Sequence, residues 1–183
     1  MSATTTTEPS VWIGCLGCYN NARLIGHWWP ATEAGDVDVE AVHRGSGVNW
    51  RREGCEELWC LDIEGMPVQR EMGPVEAQRW GEIYEEVGPE QWGALCAWVR
   101  SGAYTAEGDS DYPVVSDFEE AFCGEWGSFR DYALDLADGI GLLRDVPEEI
   151  SRYFGWDSWI NDQEADYSVI DAPDGGVYVF RNM

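Results

Sequence analysis

The sequence contains no lysine, and its 11 basic residues are all arginines. That preference suits a GC-rich coding sequence and indicates little about mechanism. Acidic residues number 35, so the formal net charge is −24 at pH 7. A chain this negative repels nucleic acid and anionic membranes, and its direct partners should be cationic. A high-salt habitat is an alternative source of the acidity, and composition alone does not decide between the two.

Residues and motifs for catalysis are scarce. The two histidines, His27 and His43, form no HExxH or other metal-ligand spacing. No GxGxxG, P-loop or GxSxG motif is present. Asp109 and Asp111 resemble the start of a calcium loop, but the glycine and distal glutamate of an EF-hand are missing. Carboxylate pairs suited to acid–base chemistry arise by chance among so many acids. We therefore expect neither an enzyme nor a cofactor.

Long apolar runs are also missing. No stretch of about 18 apolar residues occurs, so we expect no transmembrane helix. The opening MSATTTTEPS has neither the basic nor the apolar region of a signal peptide, and residues 1–10 are predicted to form a disordered tail. The sequence therefore predicts a cytoplasmic protein.

The chain has six cysteines, which are Cys15, Cys18, Cys55, Cys60, Cys96 and Cys123. In a reducing cytoplasm they should remain thiols. Cys15-x2-Cys18 and Cys55-x4-Cys60 also match a spacing of four zinc ligands. However, the surrounding runs VWIGCLGCY and ELWCLDIEG are typical of strands rather than of the tight turns of a zinc site. The cysteines are therefore expected to be small buried hydrophobic side chains and to bind no metal, with zinc as the alternative.

Aromatic residues are abundant. They make up 13% of the chain, including 11 tryptophans, and hydrophobic residues make up 44%. A disordered acidic chain would be poor in aromatics, so this chain is expected to fold.

The first half of the chain shows mixed strand and helix patterns. Strands are predicted at 11–19 and 57–65, with the loop YNNARLIGHWWP and a helix at 36–44 between them. Apolar residues at helical spacing predict further helices at 75–87 and 89–100, and the second has proline at its first position.

The second half shows helices followed by a hairpin. Helices are predicted from the capping box Ser116-x-x-Glu119, after Ser128 and from Pro147. YSVI and VYVF, around a turn at 172–176, predict a β-hairpin. The fold class is therefore α+β. Beyond the tail at 1–10, three small subdomains are predicted, namely an N-terminal α+β part at 11–65, central helices at 66–102 and an acidic α+β part at 103–183.

Acidic charge is concentrated towards the C-terminus. Residues 101–183 hold 19 acidic residues and 4 arginines, a net charge of −15. Within FEEAFCGEWGSFRDYALDLAD (118–138), two short helices that are both acidic and aromatic are predicted. On the second, Asp131, Asp135 and Asp138 share a face opposite Phe129 and Leu136. B-DNA carries one charge per about 1.7 Å of its axis, so 24 net charges correspond to about 40 Å, or roughly 12 bp, and a dimer to roughly 24 bp.

Three segments in the same order resemble the ArdA antirestriction family. CLGCYNNARLIGHWW resembles the family's opening strand, its Tyr-Asn-Asn and its Leu-x-Gly-x-Trp. FEEAFCGEWGSFRDYALDLAD resembles the acidic helix, the aromatic-Gly-Glu-aromatic step and the Ser-x-x-Asp-Tyr-Ala helix of its C-terminal part. YFGWDSWINDQEADYSVIDAPDGGVYVFRN resembles its closing helix and Val-Tyr-Val-Phe strand. The similarity extends over almost the whole chain after the tail.

The resemblance implies an elongated, three-part α+β protein that dimerises and mimics bent B-DNA. Such proteins occupy the DNA site of type I restriction–modification enzymes, which is formed by their specificity and methyltransferase subunits. They are carried by plasmids, conjugative transposons and phages, whose incoming DNA they protect. Trp126 and Phe129 are predicted dimer contacts.

Carboxylates on helix surfaces are expected to stand in for phosphates and to meet the basic residues that normally bind DNA. The predicted set is Asp109, Asp111, Asp117, Glu119, Glu120, Glu125, Asp131, Asp135, Asp138, Asp145, Glu148 and Glu149. The alternative function is an acidic adaptor that binds another basic DNA-binding protein of the host.

Overall fold

The computed structural model describes residues 7–182, so residues 1–6 of the predicted tail lie outside it. The chain divides into two compact units, Met1–Cys96 and Ala97–Met183. Helices and antiparallel sheets are both present, which confirms the predicted α+β class. The three-part division of the chain stays a prediction. None of the helices between residues 7 and 182 combines the length and the apolar character needed to cross a bilayer.

The first unit is built on a three-stranded antiparallel sheet of order β2-β1-β3. Its elements are β1 (Ser10–Cys15), α1 (Leu16–Asn20), β2 (Gly26–Pro30), a 3-10 helix (Ala31–Asp36), α2 (Val39–His43), α3 (Trp50–Glu53), β3 (Leu58–Glu64) and α4 (Pro74–Val87), and the unit boundary falls in α5 (Pro89–Ser101). β1 is central, with Val11 and Ile13 fully buried. Val11 pairs with Trp29 on one side and with Ile63 on the other.

Helix α4 packs against the 3-10 helix. Its buried face carries Ala77, Trp80, Gly81 and Ile83. A Cβ atom at position 81 would lie 2.4 Å from the backbone nitrogen of Thr32, so the close approach requires glycine at this position. Glycine at position 81 therefore allows the backbones of α4 and the 3-10 helix to lie close together.

Three predictions for the first unit need correction. The strand predicted at 11–19 ends at Cys15, where α1 begins. The predicted loop YNNARLIGHWWP contains β2, which forms because it pairs with β1. The helix predicted at 36–44 begins only at Val39, since the Asp38 carboxylate accepts a hydrogen bond from the Ala41 N–H at 2.7 Å and caps the helix there.

The second unit is built on another three-stranded antiparallel sheet, of order β4-β6-β5. Its elements after α5 are α6 (Val115–Ala121), β4 (Phe122–Trp126), α7 (Phe129–Gly139), α8 (Glu148–Ser151), α9 (Trp156–Glu164), β5 (Tyr167–Asp171) and β6 (Val177–Arg181). The predicted helix after Ser128 and the predicted C-terminal hairpin are both confirmed.

Both faces of this sheet are covered by other parts of the unit. Successive residues of β6 point to opposite faces, and the neighbours Val179 and Phe180 are both fully buried. Val179 packs with Tyr132 of α7 and Ile160 of α9. On the other side, the ring of Phe180 lies 5.3 Å from that of Phe122 and 6.2 Å from that of Phe118 on α6. The sheet therefore holds α6 on one face and α7 and α9 on the other.

Residues 118–138 contain the two predicted helices, but the expectation that the first continues up to the second is wrong, because the strand β4 lies between them. Residues 122–126 become β4 because Phe122 pairs with Phe180 and Trp126 pairs with Val177, and Gly124 has φ of +106°, outside the helical region. The predicted capping box is also wrong. α6 begins at Val115 without a side-chain cap, which places Ser116 inside the helix.

The helix predicted from Pro147 is divided into two. α8 ends at Ser151 and α9 begins at Trp156, with Gly155 at its N-cap. Between them the ring of Phe154 packs edge-on against that of Trp156 at 4.9 Å. Two of the aromatic residues in the predicted helix therefore pack at the turn between α8 and α9.

Candidate partner-binding surface

Helix α7 has an acidic face and an apolar face. The hydroxyl of Ser128 accepts a hydrogen bond from the Asp131 N–H at 3.2 Å and caps the helix start. Tyr132 is buried, whereas Asp135 and Asp138 are exposed. The two faces lie where the spacing of the residues predicts them.

The predicted partner-binding carboxylates lie at the surface of the second unit. Eleven of the twelve are exposed, and Asp117 is half-buried. They lie on α6, β4, α7 and α8 and on the loops beside them. Exposed acids continue beyond the predicted set at Asp162, Glu164, Asp166, Asp171 and Asp174. The exposed carboxylates of residues 101–183 are called the acidic surface below.

Arginine is scarce beside the acidic surface, because residues 101–183 hold 19 acidic residues and 4 arginines. Arg130 donates to Asp157 across 2.6 Å, and this pair joins α7 to α9. Within residues 7–182, no arginine lies within ion-pair distance of Glu119, Asp135 or Asp138. Arginine therefore does not neutralise these three carboxylates within the described residues.

Asp131 has a structural role besides its charge. Ser128 Oγ donates to Asp131 Oδ2 at 2.7 Å, while the Asp131 N–H donates to Ser128 Oγ. This reciprocal arrangement resembles a capping box, and it places a negative charge near the positive end of the helix dipole. Asp131 therefore stabilises the start of α7.

Aromatic packing holds the acidic helices in place. Phe118 on α6 is fully buried, and its ring lies 5.3 Å from Phe122, 5.7 Å from Trp98 and 6.2 Å from Phe180. Such ring pairs contribute about 0.5–1.5 kcal/mol each beyond the burial of their area. The next residue along α6, Glu119, is exposed, so the same packing fixes the helix from which its side chain projects.

The predicted dimer contacts Trp126 and Phe129 pack within their own unit. Phe129 is only 7% exposed, with its ring 5.6 Å from that of Tyr167. The indole N–H of Trp126 donates to the Cys123 carbonyl at 2.9 Å, and its ring lies 5.5 Å from that of Tyr132. A dimer role for the two residues stays a prediction. The exposed large hydrophobic side chains of this unit are Leu134, Ile140, Ile150 and Tyr153.

Three cysteines of the first unit form a cluster with His43, a residue that the spacing of the cysteines in the sequence did not indicate. Cys15, Cys18, Cys55 and His43 are buried and each place one potential ligand atom within 4.8 Å of the others. Cys60 lies outside this group, in the middle of β3. The expectation that Cys15 and Cys18 share a strand is wrong, because β1 ends at Cys15. Burial raises the pKa of the Cys55 thiol to about 12 and also raises that of Cys18.

Comparison with known protein families identifies a match that covers both units. A family model described as "Antirestriction protein (ArdA)" matches residues 11–178, which is nearly the whole chain. A search of curated proteins returned no match. The chain therefore belongs to the ArdA family of antirestriction proteins, which inhibit type I restriction enzymes and are not themselves enzymes.

Proposed function

We propose that this protein inhibits type I restriction–modification enzymes by occupying their DNA-binding site as a mimic of the DNA backbone. The observation that carries the proposal is the acidic surface, where exposed carboxylates are placed on helices whose inner faces are fixed by aromatic packing. The 11 arginines of the chain are too few to balance its 35 acidic residues. The basic residues of a DNA-binding cleft would supply the missing positive charge.

Carboxylates are suitable substitutes for phosphates in such a cleft. Both groups are anionic, and both accept two parallel hydrogen bonds from an arginine. Each contact at an exposed site is weak, so the binding free energy must be distributed over many of them. Rigid placement on α6 and α7 reduces the loss of conformational entropy on binding.

The target surface that we propose is the DNA site formed by the specificity and methyltransferase subunits. Occupying it would prevent recognition of the target sequence, and restriction of incoming DNA would stop. We propose that the protein acts in the cytoplasm, on behalf of a plasmid, phage or other mobile element that carries it. Direct binding to nucleic acid or membranes is not part of this function, because the net charge of −24 opposes it.

We further propose a homodimer, whose two acidic surfaces together cover about twice the duplex length that one chain matches. Ile150 and Tyr153 are 62% and 82% exposed, and burying them against a second chain would be favourable. Light scattering during size-exclusion chromatography measures the mass in solution. A monomer at the concentration that inhibits the enzyme would contradict the dimer and leave the mimicry untouched.

Binding to a purified type I methyltransferase should weaken as salt rises, because charge pairing is the main attractive interaction. We expect a loss of about 10- to 100-fold in affinity between about 50 and 200 mM salt. The affinity of the enzyme for DNA should fall more steeply than its affinity for the protein. The denser charge of DNA condenses more counterions, which are released on binding. Titrations of the enzyme with the protein and with a DNA duplex, at matched salt, measure both slopes. An affinity independent of salt would contradict the proposal.

The alternative partner is another basic protein of the host, such as a nucleoid protein or a transcription factor. The acidic surface by itself fits any cationic groove, and the family membership is what favours restriction enzymes. Capture from a lysate on the immobilised protein distinguishes the two. Recovery of a nucleoid protein without restriction subunits would favour the adaptor, and recovery of specificity and methyltransferase subunits would favour the inhibitor.

A further inference from the structure

The cysteine and histidine cluster of the first unit is not used by the proposed function. Its members come from separate parts of the fold, with Cys15 at the end of β1, Cys18 in α1, His43 at the end of α2 and Cys55 after α3. Their exposed fractions are 1%, 0%, 5% and 6%, respectively. From this arrangement we infer that the unit binds one zinc ion through Cys15, Cys18, Cys55 and His43. The inference does not rest on the proposed function.

The distances between the ligand atoms suit a tetrahedral ion. With Zn–S bonds of about 2.3 Å and Zn–N bonds of about 2.0–2.1 Å, two thiolates lie about 3.8 Å apart, and a thiolate lies about 3.6 Å from an imidazole nitrogen. In this structure Cys18 Sγ lies 3.7 Å from Cys55 Sγ and 3.5 Å from His43 Nε2. The four ligand atoms together lie within 4.8 Å of one another. Little movement is needed to place zinc at their centre.

Hydrogen bonding presents the correct atom of the histidine to the cluster. His43 Nδ1 lies 2.7 Å from the Val39 carbonyl oxygen, an acceptor, so Nδ1 carries the proton and donates it. Nε2 is then the unprotonated nitrogen, and it is the one that lies beside Cys18 Sγ. A backbone carbonyl that fixes the tautomer in this way is the usual outer contact of a histidine that binds a metal.

The backbone between Cys15 and Cys18 also supports a metal-binding turn. β1 ends at Cys15, and the Cys18 N–H donates to Cys15 Sγ at 3.4 Å. This bond turns the chain so that both sulfurs face the same point, and it stabilises negative charge on Cys15 Sγ when a metal is bound. On the opposite side, Gly54 in the left-handed conformation ends α3 and turns Cys55 towards the cluster.

The ligand types favour zinc over the hard cations. Three thiolates and one imidazole are soft donors, whereas magnesium and calcium prefer carboxylate, carbonyl and water oxygens. All four positions of the tetrahedron are filled by protein atoms, which is typical of a structural site rather than of a catalytic one. The ion would connect β1 and α1 to α2 and α3, which are short elements with small buried faces of their own.

Metal analysis of the purified full-length chain tests the inference. We expect about one zinc per chain, and only a small fraction of that in Cys18→Ser and in His43→Asn. Cys123→Ser and His27→Asn are matched controls outside the cluster, and they should retain the zinc of the parent chain. Chelation should also lower the melting temperature of the parent chain. A parent chain without zinc, or zinc retained in both cluster variants, would overturn the inference.

Cobalt spectroscopy keeps the test decisive if the cluster variants fail to fold. The parent chain, stripped of metal and titrated with Co²⁺, should show the strong visible absorption of a tetrahedral thiolate site with saturation at one ion per chain. His43→Cys keeps four ligands, so it should retain the absorption with a shift in wavelength, because one nitrogen is replaced by sulfur. Weak octahedral bands in the parent chain, or a spectrum unchanged in His43→Cys, would contradict the proposed ligand set.

Discussion

Changing Glu119, Glu120, Asp135, Asp138 and Glu149 together to their amides should weaken binding to a type I methyltransferase about 100-fold. Each exposed charge pair contributes about 0.2–1 kcal/mol. Five such pairs therefore contribute about 1–5 kcal/mol, and every 1.4 kcal/mol is tenfold in affinity. A single amide, by the same estimate, should cost about two- to threefold. Equilibrium binding of the purified variants at low salt measures both effects.

The control for this variant is a chain with the same net charge but with changes in the first unit. Glu56, Glu57, Glu85, Glu86 and Glu90 are exposed there and can be changed to glutamine. We expect that chain to bind almost as tightly as the parent. An equal loss in both variants would mean that total charge, rather than the acidic surface, determines binding. Abolition of binding by one amide alone would contradict the distributed contact and indicate a local hot spot.

Phe118→Ala should destabilise the second unit by about 3–5 kcal/mol, which is the usual cost of deleting a fully buried phenylalanine ring. The ring contacts three other aromatic side chains, of Trp98, Phe122 and Phe180. Its removal leaves a cavity between α6 and the sheet that those rings can fill only in part. Denaturant unfolding followed by circular dichroism measures the change.

Ile140→Ala is the matched control, because it truncates a large apolar side chain of the same unit that is 60% exposed. Its free energy of unfolding should change by less than about 0.5 kcal/mol. At a temperature where Phe118→Ala has lost its fold, inhibition should be lost as well, although every carboxylate is still present. Full inhibition by an unfolded second unit would show that charge alone is sufficient and that placement on helices is not required.

Local sequence patterns were sufficient for α4, α7 and the hairpin. The apolar face of α4, the serine cap of α7 and the β-branched and aromatic runs of β5 and β6 are all set by residues close together in the chain. A period of 3.6 or 2 residues, together with caps and glycines, identifies such elements directly. The α+β class follows from their order.

Elements that depend on distant partners could not be predicted in the same way. β2 and β4 form only because β1 and β6 lie beside them, and the tertiary pairing overrides a local pattern that favours loop or helix. Gly124 and Gly127 were a usable signal for the strand at β4, because a helix with two glycines so close is weak. His43 lies beside three cysteines because α2 packs next to them in the folded chain. No known metal-ligand spacing in the sequence relates it to those cysteines.

Competition with DNA tests the central claim most directly. A purified type I methyltransferase bound to a labelled duplex with its recognition sequence is titrated with the protein at several fixed DNA concentrations. If the acidic surface occupies the DNA site, the concentration needed for half-displacement rises in proportion to the DNA, and no complex contains both. A half-displacement concentration that does not change with DNA, or a stable complex of enzyme, DNA and protein, would contradict the account.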